Sequence, residues 1–346
     1  MQPSTSRAGS PAVSSVRPSI EPHRPSAGDE PGPSIEPSLP RPSIDKPRWR
    51  ENAPFWSVHA AAAIGAFAAG WSWTALAWLV GSYSVRMFAI TAGYHRYFSH
   101  RTFKTSRVFQ FILAALAMAS AQQGILWWAS HHRNHHKFSD EPNDIHSPVQ
   151  RGFWWSHVGW IIGSRHKATD FERVKDFAKY PELRILDRYD LTVAIAWGAL
   201  LYVLGGWTAL FWGHFVSLVL AWHVTFCINS LAHVWGSRRY ATHDESRNNA
   251  LLAVLTFGEG WHNNHHHYQR SARQGFFWWQ IDITYYVLKL LEALHIVWDV
   301  EGVPRHVRDE TVAPARARVG AARAQVAVVP AVAALPVAIR ASTDSP

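Results

Sequence analysis

The sequence predicts an all-α membrane protein with four transmembrane helices in two hairpins and a helical cap on one side. Two long uncharged blocks carry this prediction. Residues 55–94 contain one charged side chain, Arg86, and residues 191–236 contain no Asp, Glu, Lys or Arg. A helix rises about 1.5 Å per residue, so each block is long enough to cross a bilayer core of about 30 Å twice.

The ends of the chain differ from these blocks. Residues 1–50 are rich in Pro, Ser and Arg without hydrophobic periodicity, which predicts a disordered N-terminal tail. They contain no apolar core of a signal peptide. Residues 303–346 are mostly Ala, Val, Pro and Arg without a pattern and predict a second disordered tail. The membrane domain is therefore expected at 51–302.

The composition favours a membrane partner over nucleic acid. The chain has 346 residues, 48% of them hydrophobic, with 19 Trp and a formal net charge of +9. Its basic residues adjoin long uncharged blocks, which is typical of a protein at a membrane surface rather than a nucleic-acid-binding face. A single cysteine, Cys227, excludes an internal disulfide and leaves histidine as the metal ligand.

Each hairpin has a candidate turn. The first is Gly70-Trp71-Ser72-Trp73, where glycine permits the reversal and tryptophan suits the interface, and the second is Gly205-Gly206. Lys and Arg are frequent in residues 95–190 and absent from both turns. By the positive-inside tendency, the long segments, both tails and the candidate site are expected in the cytoplasm.

Two further segments are candidates for the membrane interface. Residues 108–128 are uncharged, but a span there would separate the histidine clusters on opposite sides, so we predict a re-entrant or interfacial helix. Residues 276–298 mix aromatic and aliphatic side chains with Asp282, Lys289 and Glu292, which predicts an amphipathic interfacial helix.

Histidine clusters mark the candidate site. On an α-helix, ligands at i, i+3 and i+4 fall within an arc of roughly 100°. This spacing occurs twice, and a looser pair precedes it: His132, His135 and His136; His262, His265 and His266; His95 and His100. Neutral imidazole binds iron, zinc, copper and nickel, so three clusters on one membrane face predict more than one metal ion.

The roles of the remaining candidates are predicted from their positions in the chain. His95 and His100 differ by roughly 140° on an α-helix, so they are predicted to bracket the site from a helix end. Asn229 and His233, at i and i+4 in the last span, are either a functional pair or an interhelical hydrogen bond. His214 and His223 have no partner pattern and are predicted to be structural.

These motifs, with Thr-Phe-Gly-Glu-Gly-Trp-His-Asn at 256–263, resemble membrane fatty acid desaturases of the acyl-CoA Δ9 (stearoyl-CoA) type over roughly residues 52–300. The resemblance implies two irons and a cis double bond inserted into a saturated acyl chain with O2. The matching metal ligands would be His95, His100, His132, His135, His136, His233, His262, His265 and His266, with Asn229 reaching one iron through water.

The resemblance also suggests partners. No fused cytochrome b5 motif, His-Pro-Gly-Gly, is present, so a separate electron-transfer protein is expected. Glu259, Asp140 and Asp144 are the nearest carboxylates for orienting the rings. Ser130-His131 replace the Arg-Asp pair of animal enzymes, which leaves acyl-CoA, phospholipid and acyl carrier protein as possible carriers, with acyl-CoA expected. Ile145 replaces a usual proline and is expected to alter only a turn.

Two other functions fit parts of the pattern. A membrane di-iron hydroxylase of a lipid substrate would need the same iron ligands. A metal transporter or histidine-rich store would place its ligands near the bilayer midplane, whereas these histidines cluster at the ends of spans. Chain length, regiochemistry, electron donor and oligomeric state stay open.

Overall fold

The computed structural model of the protein describes residues 50, 52–163 and 168–310, which are mostly helical. All of them belong to the larger of two units, residues 45–346. The predicted N-terminal tail lies outside the described residues except for residue 50, and the predicted C-terminal tail except for 303–310. Within the latter segment Arg305–Arg308 form a helical turn.

The first uncharged block folds into two helices joined by the predicted turn. Helix α1 is Ala53–Ala69, and α2 is Trp73–Phe88, which continues without a break as a π-helix, Ala89–Ser99. Gly70 has a φ of 67°, a conformation that glycine adopts at no steric cost. Ser72 caps α2, since its Oγ accepts the backbone N–H three residues later at 3.0 Å.

The second uncharged block also reverses where predicted. Gly205 and Gly206 leave helical geometry, and Gly206 has a φ of 62°. The indole of Trp212, just after this turn, donates to the Gly70 carbonyl at 2.9 Å, so both turns lie at the same end of the helices. The elements of the block are α9 (Asp190–Thr208), a π-helix (Ala209–Val216), α10 (Ser217–Asn229) and a 3₁₀ turn (Leu231–His233).

Two helical stretches of the described chain are long and apolar enough to cross a bilayer, Trp73–Ser99 and Asp190–His233. The second contains the reversal at Gly206. Ala53–Ala69 is a shorter apolar helix of 17 residues, about 25 Å long and at the lower limit for a span. Two candidate spans do not establish four, so the four-helix membrane arrangement stays a prediction.

The uncharged run 108–128 is not one helix. Helix α3, Arg107–Met118, has 12 residues and is about 18 Å long, too short to span. Helix α4, Ile125–Phe138, begins after Gly124. Asp187 Oδ1 accepts the backbone N–H groups of Leu126 and Trp127, in the first turn of α4, at 2.8 and 2.9 Å. A side chain at Gly124 would collide with that carboxylate. A single long span is therefore excluded, while placement at the interface stays a prediction.

Helix α3 supports the π-helix from which the first histidines project. A Cβ at Gly93 would lie 3.3 Å from Leu113 and Ala117, so the glycine lets the two backbones approach closely. The surrounding side chains, including Tyr94 and Phe98, are fully buried. The polar residues of this helix are thus held in a close-packed core.

Arg86 is fully buried where α2 meets α3 and the second block. Its guanidinium donates to the Ala119 carbonyl at 3.0 Å, to the Gly213 carbonyl at 3.0 Å and to His214 Nδ1 at 2.8 Å. No carboxylate among the described residues pairs with it. The charge is solvated by backbone and imidazole acceptors that tie three elements together.

The segment 276–298 is amphipathic but less helical than predicted. Only Ile283–Ala293, α13, is a helix, and it exposes Tyr286, Leu290 and, just beyond its end, Leu294. Val297–Trp298 instead pairs antiparallel with Lys104–Thr105. The remaining helices are α5 (Pro148–Arg151), a π-turn (Trp155–Gly159), α6 (Trp160–Ile162), α7 (Lys175–Ala178), α8 (Pro181–Arg188), α11 (Ala250–Leu255), α12 (His262–His267) and α14 (Arg305–Arg308).

Candidate metal centre

All nine histidines of the predicted ligand set converge in two groups. Within each group one nitrogen of every ring lies within 4.8 Å of the others. The five-histidine group consists of His95, His100, His132, His136 and His265. The four-histidine group consists of His135, His233, His262 and His266. All these rings are buried or half-buried.

His95 lies in the last turn of the π-helix and His100 directly follows its end, so the two rings bracket the site from a helix end, as predicted. The helix is π-helical rather than α-helical, and the His100 N–H donates to the His95 carbonyl at 3.2 Å. This i to i+5 hydrogen bond brings the two residues close together. The two ring centroids are 4.8 Å apart.

The two H-x-x-H-H motifs form α-helical surfaces, as predicted, and each motif serves both groups. Helix α4 contributes His132 and His136 to the five-histidine group and His135 to the four-histidine group. Helix α12 contributes His265 to the five-histidine group, and His262 and His266 to the four-histidine group. Neighbouring residues thus point to neighbouring groups, which holds the two groups side by side.

Asn229 and His233 are not on one helical face. Helix α10 ends at Asn229, and His233 lies in the 3₁₀ turn that follows. His233 Nε2 is 3.0 Å from His262 Nε2 in the four-histidine group. Asn229 instead lines a cavity beside the groups, together with His132. The helix ending thus separates two side chains that a continuous helix would align.

The arrangement of ring nitrogens fits bound metal. In the five-histidine group, His132 Nε2 is 2.9 Å from Nε2 of both His100 and His136, and His265 Nε2 is 3.0 Å from His95 Nε2. His266 Nε2, in the other group, is buried without a hydrogen-bond partner in the described chain. A neutral imidazole has one N–H, so nitrogens that face one another this way supply lone pairs to a shared cation.

The pKa values agree with neutral ligands. Burial, with the neighbouring rings, lowers the pKa of five histidines well below the usual range: His100, His132, His136, His262 and His265. Burial likewise lowers the pKa of His266 to about 4. These six rings therefore keep free lone pairs at neutral pH. Against the effect of burial, the carboxylate of Asp144 raises the pKa of His135. The buried cluster is able to bind metal.

Carboxylates contact the Nδ1 atoms of four rings, which we call the outer nitrogens. His95 Nδ1 lies 2.5 Å from Glu259, which also pairs with Arg96 at 3.1 Å. In the four-histidine group the pairs are His135 with Asp144 at 3.0 Å, His233 with Asp140 at 2.9 Å and His266 with Asp244 at 2.5 Å. Such partners fix the tautomer and raise the basicity of the ligating nitrogen.

The carboxylates stay ionised in these pairs. Burial alone would raise the pKa of Asp140, but the hydrogen bond and charge of His233 lower it to about 2. Against the same effect of burial, His135 lowers the pKa of Asp144 and His266 lowers that of Asp244 far below the usual range. Each carboxylate can therefore hold an imidazole N–H over the whole working pH range.

Sequence reasoning named three of these carboxylates and missed Asp244. The three lie within nine residues of a histidine motif, whereas Asp244 lies 18 residues before the nearest one, at His262, and 22 from its partner His266. Its one local signal is the Asp-x-Ser turn, in which Asp244 Oδ1 accepts from the Ser246 N–H at 3.1 Å. His146 was also missed; its Nδ1 lies 3.7 Å from Asp144, and its ring packs on His135.

A cavity of about 250 Å³ opens beside the five-histidine group. Its wall is mostly apolar and aromatic, including Phe55, Trp222 and Phe226, while His132 and Asn229 give it polar points. His131, at the position of the missing Arg-Asp pair, also lines it and stacks on Trp127 at 4.2 Å. An apolar molecule in this cavity would touch the metal centre at His132.

A comparison with known families identifies the fold around these groups. The family model described as "Fatty acid desaturase" matches residues 71–292, which include every histidine of both groups. The chain belongs to the fatty acid desaturase family. The resemblance drawn from the histidine motifs is thereby confirmed at the level of the family.

Named relatives of this desaturase differ in the substrates their names state. The sn-2 palmitoyl-lipid 9-desaturase of Nostoc sp. (strain 36) is 37% identical over 265 residues, covering 74% of this chain and 91% of that protein. The Acyl-CoA C20 Delta5-desaturase of Anemone leveillei is 38% identical over 224 residues, 64% and 71% of the two chains. The Delta-9 acyl-lipid desaturase 2 of Arabidopsis thaliana is 36% identical over 263 residues, 73% and 84%.

Membership sets the general chemistry of this desaturase. It is an oxidoreductase of lipid metabolism, in a membrane-associated family, with a buried histidine cluster suited to iron. The relatives include Delta-9 and Delta-5 enzymes and both lipid-bound and CoA-bound substrates. Membership therefore leaves the position of the double bond and the acyl carrier to be argued separately.

Proposed function

We propose that the protein is an O2-dependent desaturase that inserts a cis double bond, at Δ9, into a saturated fatty acyl chain. The observation that carries the proposal is the contact between the metal centre and the apolar cavity, since His132 belongs to both. An acyl chain held against Phe55, Trp222 and Phe226 would present a methylene group beside His132. The Δ9 position rests on the names of the relatives.

We further propose that the nine histidines hold two iron ions, with five rings around one, four around the other, and Asn229 acting through water. When bound, the irons supply the oxidising power of O2 to an unactivated C–H bond, with electrons from a separate carrier protein. The protein's own residues orient this centre. Asp140, Asp144 and Asp244 hold imidazole N–H groups, and the aromatic wall of the cavity excludes water.

The lining of the cavity favours a lipid-bound acyl chain over acyl-CoA, which the sequence led us to expect. Asp190 is the carboxylate of the wall, and no Lys or Arg is among its described lining residues. Coenzyme A carries several phosphate charges, which a carboxylate repels and a cation attracts. Ser130 and His131 supply no such cation at the position where animal enzymes carry an Arg-Asp pair. We therefore propose a glycerolipid-bound acyl group as substrate.

We propose a multi-pass membrane arrangement in which α1, α2 and the two halves of the second block span the bilayer. Both turns lie at one end, through the Trp212 to Gly70 contact, while the histidine groups lie beyond the other ends of the helices. The basic residues of 95–190 favour the cytoplasm for the site and both termini.

The function is tested by expression in a host that lacks Δ9 desaturation. We expect new monoenes with the double bond at carbon 9, found in membrane lipids before the CoA pool. The His136→Ala variant removes a ring of the five-histidine group and should give none. His306→Gln, an exposed histidine in α14, should match the wild type.

Each other product would overturn a stated part of the proposal. Hydroxy acids in place of monoenes would assign a hydroxylase, and metal uptake without new lipid products would assign a transporter. New monoenes that appear in the CoA pool before they appear in membrane lipids would refute the lipid-bound substrate. A double bond at another carbon would refute Δ9 alone.

The membrane arrangement is tested with reporter fusions. Fusions at Asp140 and at Gly206 should report opposite sides of the membrane, since they lie near opposite ends of the proposed spans. A fusion after Met118 should report the side of Asp140, because α3 is too short to cross. Agreement between Asp140 and Gly206 would contradict the proposed spans.

A further inference from the structure

The cavity opens where two of the proposed spans begin. Among the described residues that line it, Pro54 and Leu191 are the exposed ones, and they lie in the first turns of α1 and α9. Other lining residues, such as Trp160, Trp222 and Phe226, are buried. We call the opening between Pro54 and Leu191 the rim of the cavity.

The rim lies at the level where lipid headgroups are expected. Helix α1 ends before the turn at Gly70, and the turn at Gly206 lies at that same end of the helices. The 17 residues of α1 rise about 25 Å, close to a bilayer core of about 30 Å. Trp56 and Tyr189, beside the rim, are exposed, and such aromatic residues are enriched where lipid meets water. A glycerolipid could therefore keep its glycerol at the rim and extend one acyl chain inwards to His132.

One carboxylate lies beside the rim. Asp190 directly precedes Leu191 and is the one Asp, Glu, Lys or Arg among the described residues that line the cavity. Its charged neighbour is another carboxylate, Asp187, which is occupied by the N-terminus of α4 and by the Thr169 hydroxyl at 2.9 Å. None of the ion pairs in the described part of the chain involves Asp190.

The cations nearest in sequence do not compensate this charge. Arg188 is exposed, and its guanidinium lies over the Tyr189 ring at 5.6 Å from the centroid. Arg50 precedes α1 and is exposed, but it is not among the residues that line the cavity. Within the described residues, a molecule at the rim therefore meets an uncompensated negative charge.

A second polar group of the wall lies near this carboxylate. The side-chain amide of Gln123 makes no hydrogen bond to another described residue, although Gln123 lines the cavity. The Tyr94 hydroxyl donates to the Gln123 carbonyl at 2.6 Å and is within electrostatic range of Asp190. A carboxylate accepts hydrogen bonds from hydroxyl groups, and an amide both donates and accepts. The two side chains together suit a headgroup that carries hydroxyl groups.

We propose that Asp190 determines the headgroup of the substrate, favouring glycerolipids whose headgroup is uncharged and carries hydroxyl groups over phospholipids. In a phospholipid the phosphate is attached directly to glycerol, so it would lie beside the carboxylate at the rim. Like charges placed side by side cost free energy, whereas a hydroxyl group donates a charge-assisted hydrogen bond to a carboxylate. This role of Asp190 rests on the proposed function, because it requires that the cavity holds the acyl chain.

Lipid selection can be measured without desaturation. The purified full-length protein is mixed with three lipids that carry the same photoreactive acyl chain: monoglucosyl diacylglycerol, diacylglycerol and the anionic phosphatidylglycerol. Label on peptides of the cavity wall is then measured by mass spectrometry. We expect the wild type to favour the neutral lipids. Asp190→Asn should reduce that preference about 10-fold, Asp190→Lys should reverse it, and Asp190→Glu should retain it.

The matched control is Asp299→Asn, which removes a surface carboxylate that pairs with Lys104 at 2.8 Å and should keep the wild-type preference. Stronger labelling by the glucolipid than by diacylglycerol would assign the recognised hydroxyl to the sugar, and the reverse would assign it to glycerol. Wild-type labelling by phosphatidylglycerol as strong as that by both neutral lipids would overturn the proposal. An unchanged ratio in Asp190→Asn would also overturn it and leave Asp190 a role at the N-terminus of α9 alone.

Kinetics should show the same selection in turnover. Because Asp190 is proposed to contact the headgroup and not the reacting methylene, Asp190→Asn should lower KM for acyl chains on phosphatidylglycerol about 10-fold, with a smaller change in kcat. An equal fall in kcat on all three lipids, at unchanged KM, would refute this role. Wild-type protein that forms no monoene from any of them would contradict the proposed function, while the labelling ratios would still decide the selection by Asp190.

Discussion

The five-histidine and four-histidine groups differ in how many of their rings are held by a carboxylate. The first has five rings and one carboxylate partner, Glu259 on His95. Two of its outer nitrogens, Nδ1 of His136 and of His265, have no hydrogen-bond partner among the described residues. The second has four rings, and three of them are held by Asp140, Asp144 and Asp244.

The difference indicates how carboxylate partners can compensate for a smaller number of histidine rings. A carboxylate that accepts the outer N–H of an imidazole places negative charge near the metal and makes the ligating nitrogen more basic. The four-histidine group therefore replaces one ring by two further carboxylate partners. We expect its ion to depend on the Asp side chains, and the ion of the five-histidine group to depend on the number of rings.

The largest expected effect is a difference in iron content between a variant of the four-histidine group and a variant of the five-histidine group. His262→Ala leaves three rings in the four-histidine group, and we expect that group to lose its iron and monoene formation to cease. His265→Ala leaves four rings in the other group, enough for a tetrahedral set, so more iron should remain although activity falls. Iron per chain, measured in both purified variants, decides this. Equal iron loss would contradict the comparison.

The next effect comes from His233 and Asn229. His233→Ala should lower iron and activity together, because the ring belongs to the four-histidine group. Asn229→Ala should keep most iron while turnover falls about 10- to 100-fold, as for outer-sphere partners of metal ligands. His306→Gln is the matched control; His214 is unsuitable because it accepts from the buried Arg86. Full iron and activity in His233→Ala would reduce the ligand set to eight.

The smallest effect tests the carboxylates alone. Asp244→Asn keeps the shape of the side chain but removes its charge, so iron affinity or turnover should fall about 10- to 100-fold. Glu245→Gln, the adjacent carboxylate, which pairs on the surface with Arg238 and Arg247, should leave both unchanged. Glu259→Gln should cost less metal than Asp244→Asn, since only one ring in five depends on Glu259. The reverse order would break the comparison between the groups.

The predicted ligands could be recognised because each histidine motif lies within one short segment of the chain. An H-x-x-H-H motif needs only α-helical geometry to align its rings, and α4 and α12 provide it. Turns at Gly70 and Gly206 were equally readable, since positive φ requires glycine there. What depends on one short segment and one residue type could be predicted.

The failures share a different cause. Asp244 reaches His266 only through the tertiary fold. The run 108–128 looked continuous because hydropathy ignores Gly124 and the capping carboxylate Asp187, which together start a new helix. Contacts between distant segments were outside the reach of local patterns.

The π-helix Ala89–Ser99 has a consequence for how this site tolerates change. The position of His95 relative to His100 depends on the π-helical turn and on the number of residues between them, which are Arg96, Tyr97, Phe98 and Ser99. Replacing Phe98 by another apolar residue would keep that number. Deleting one of the four would leave the composition of the chain almost unchanged, yet would shift the register and turn one imidazole away from the cluster. In this segment, chain length is itself part of the metal-binding information.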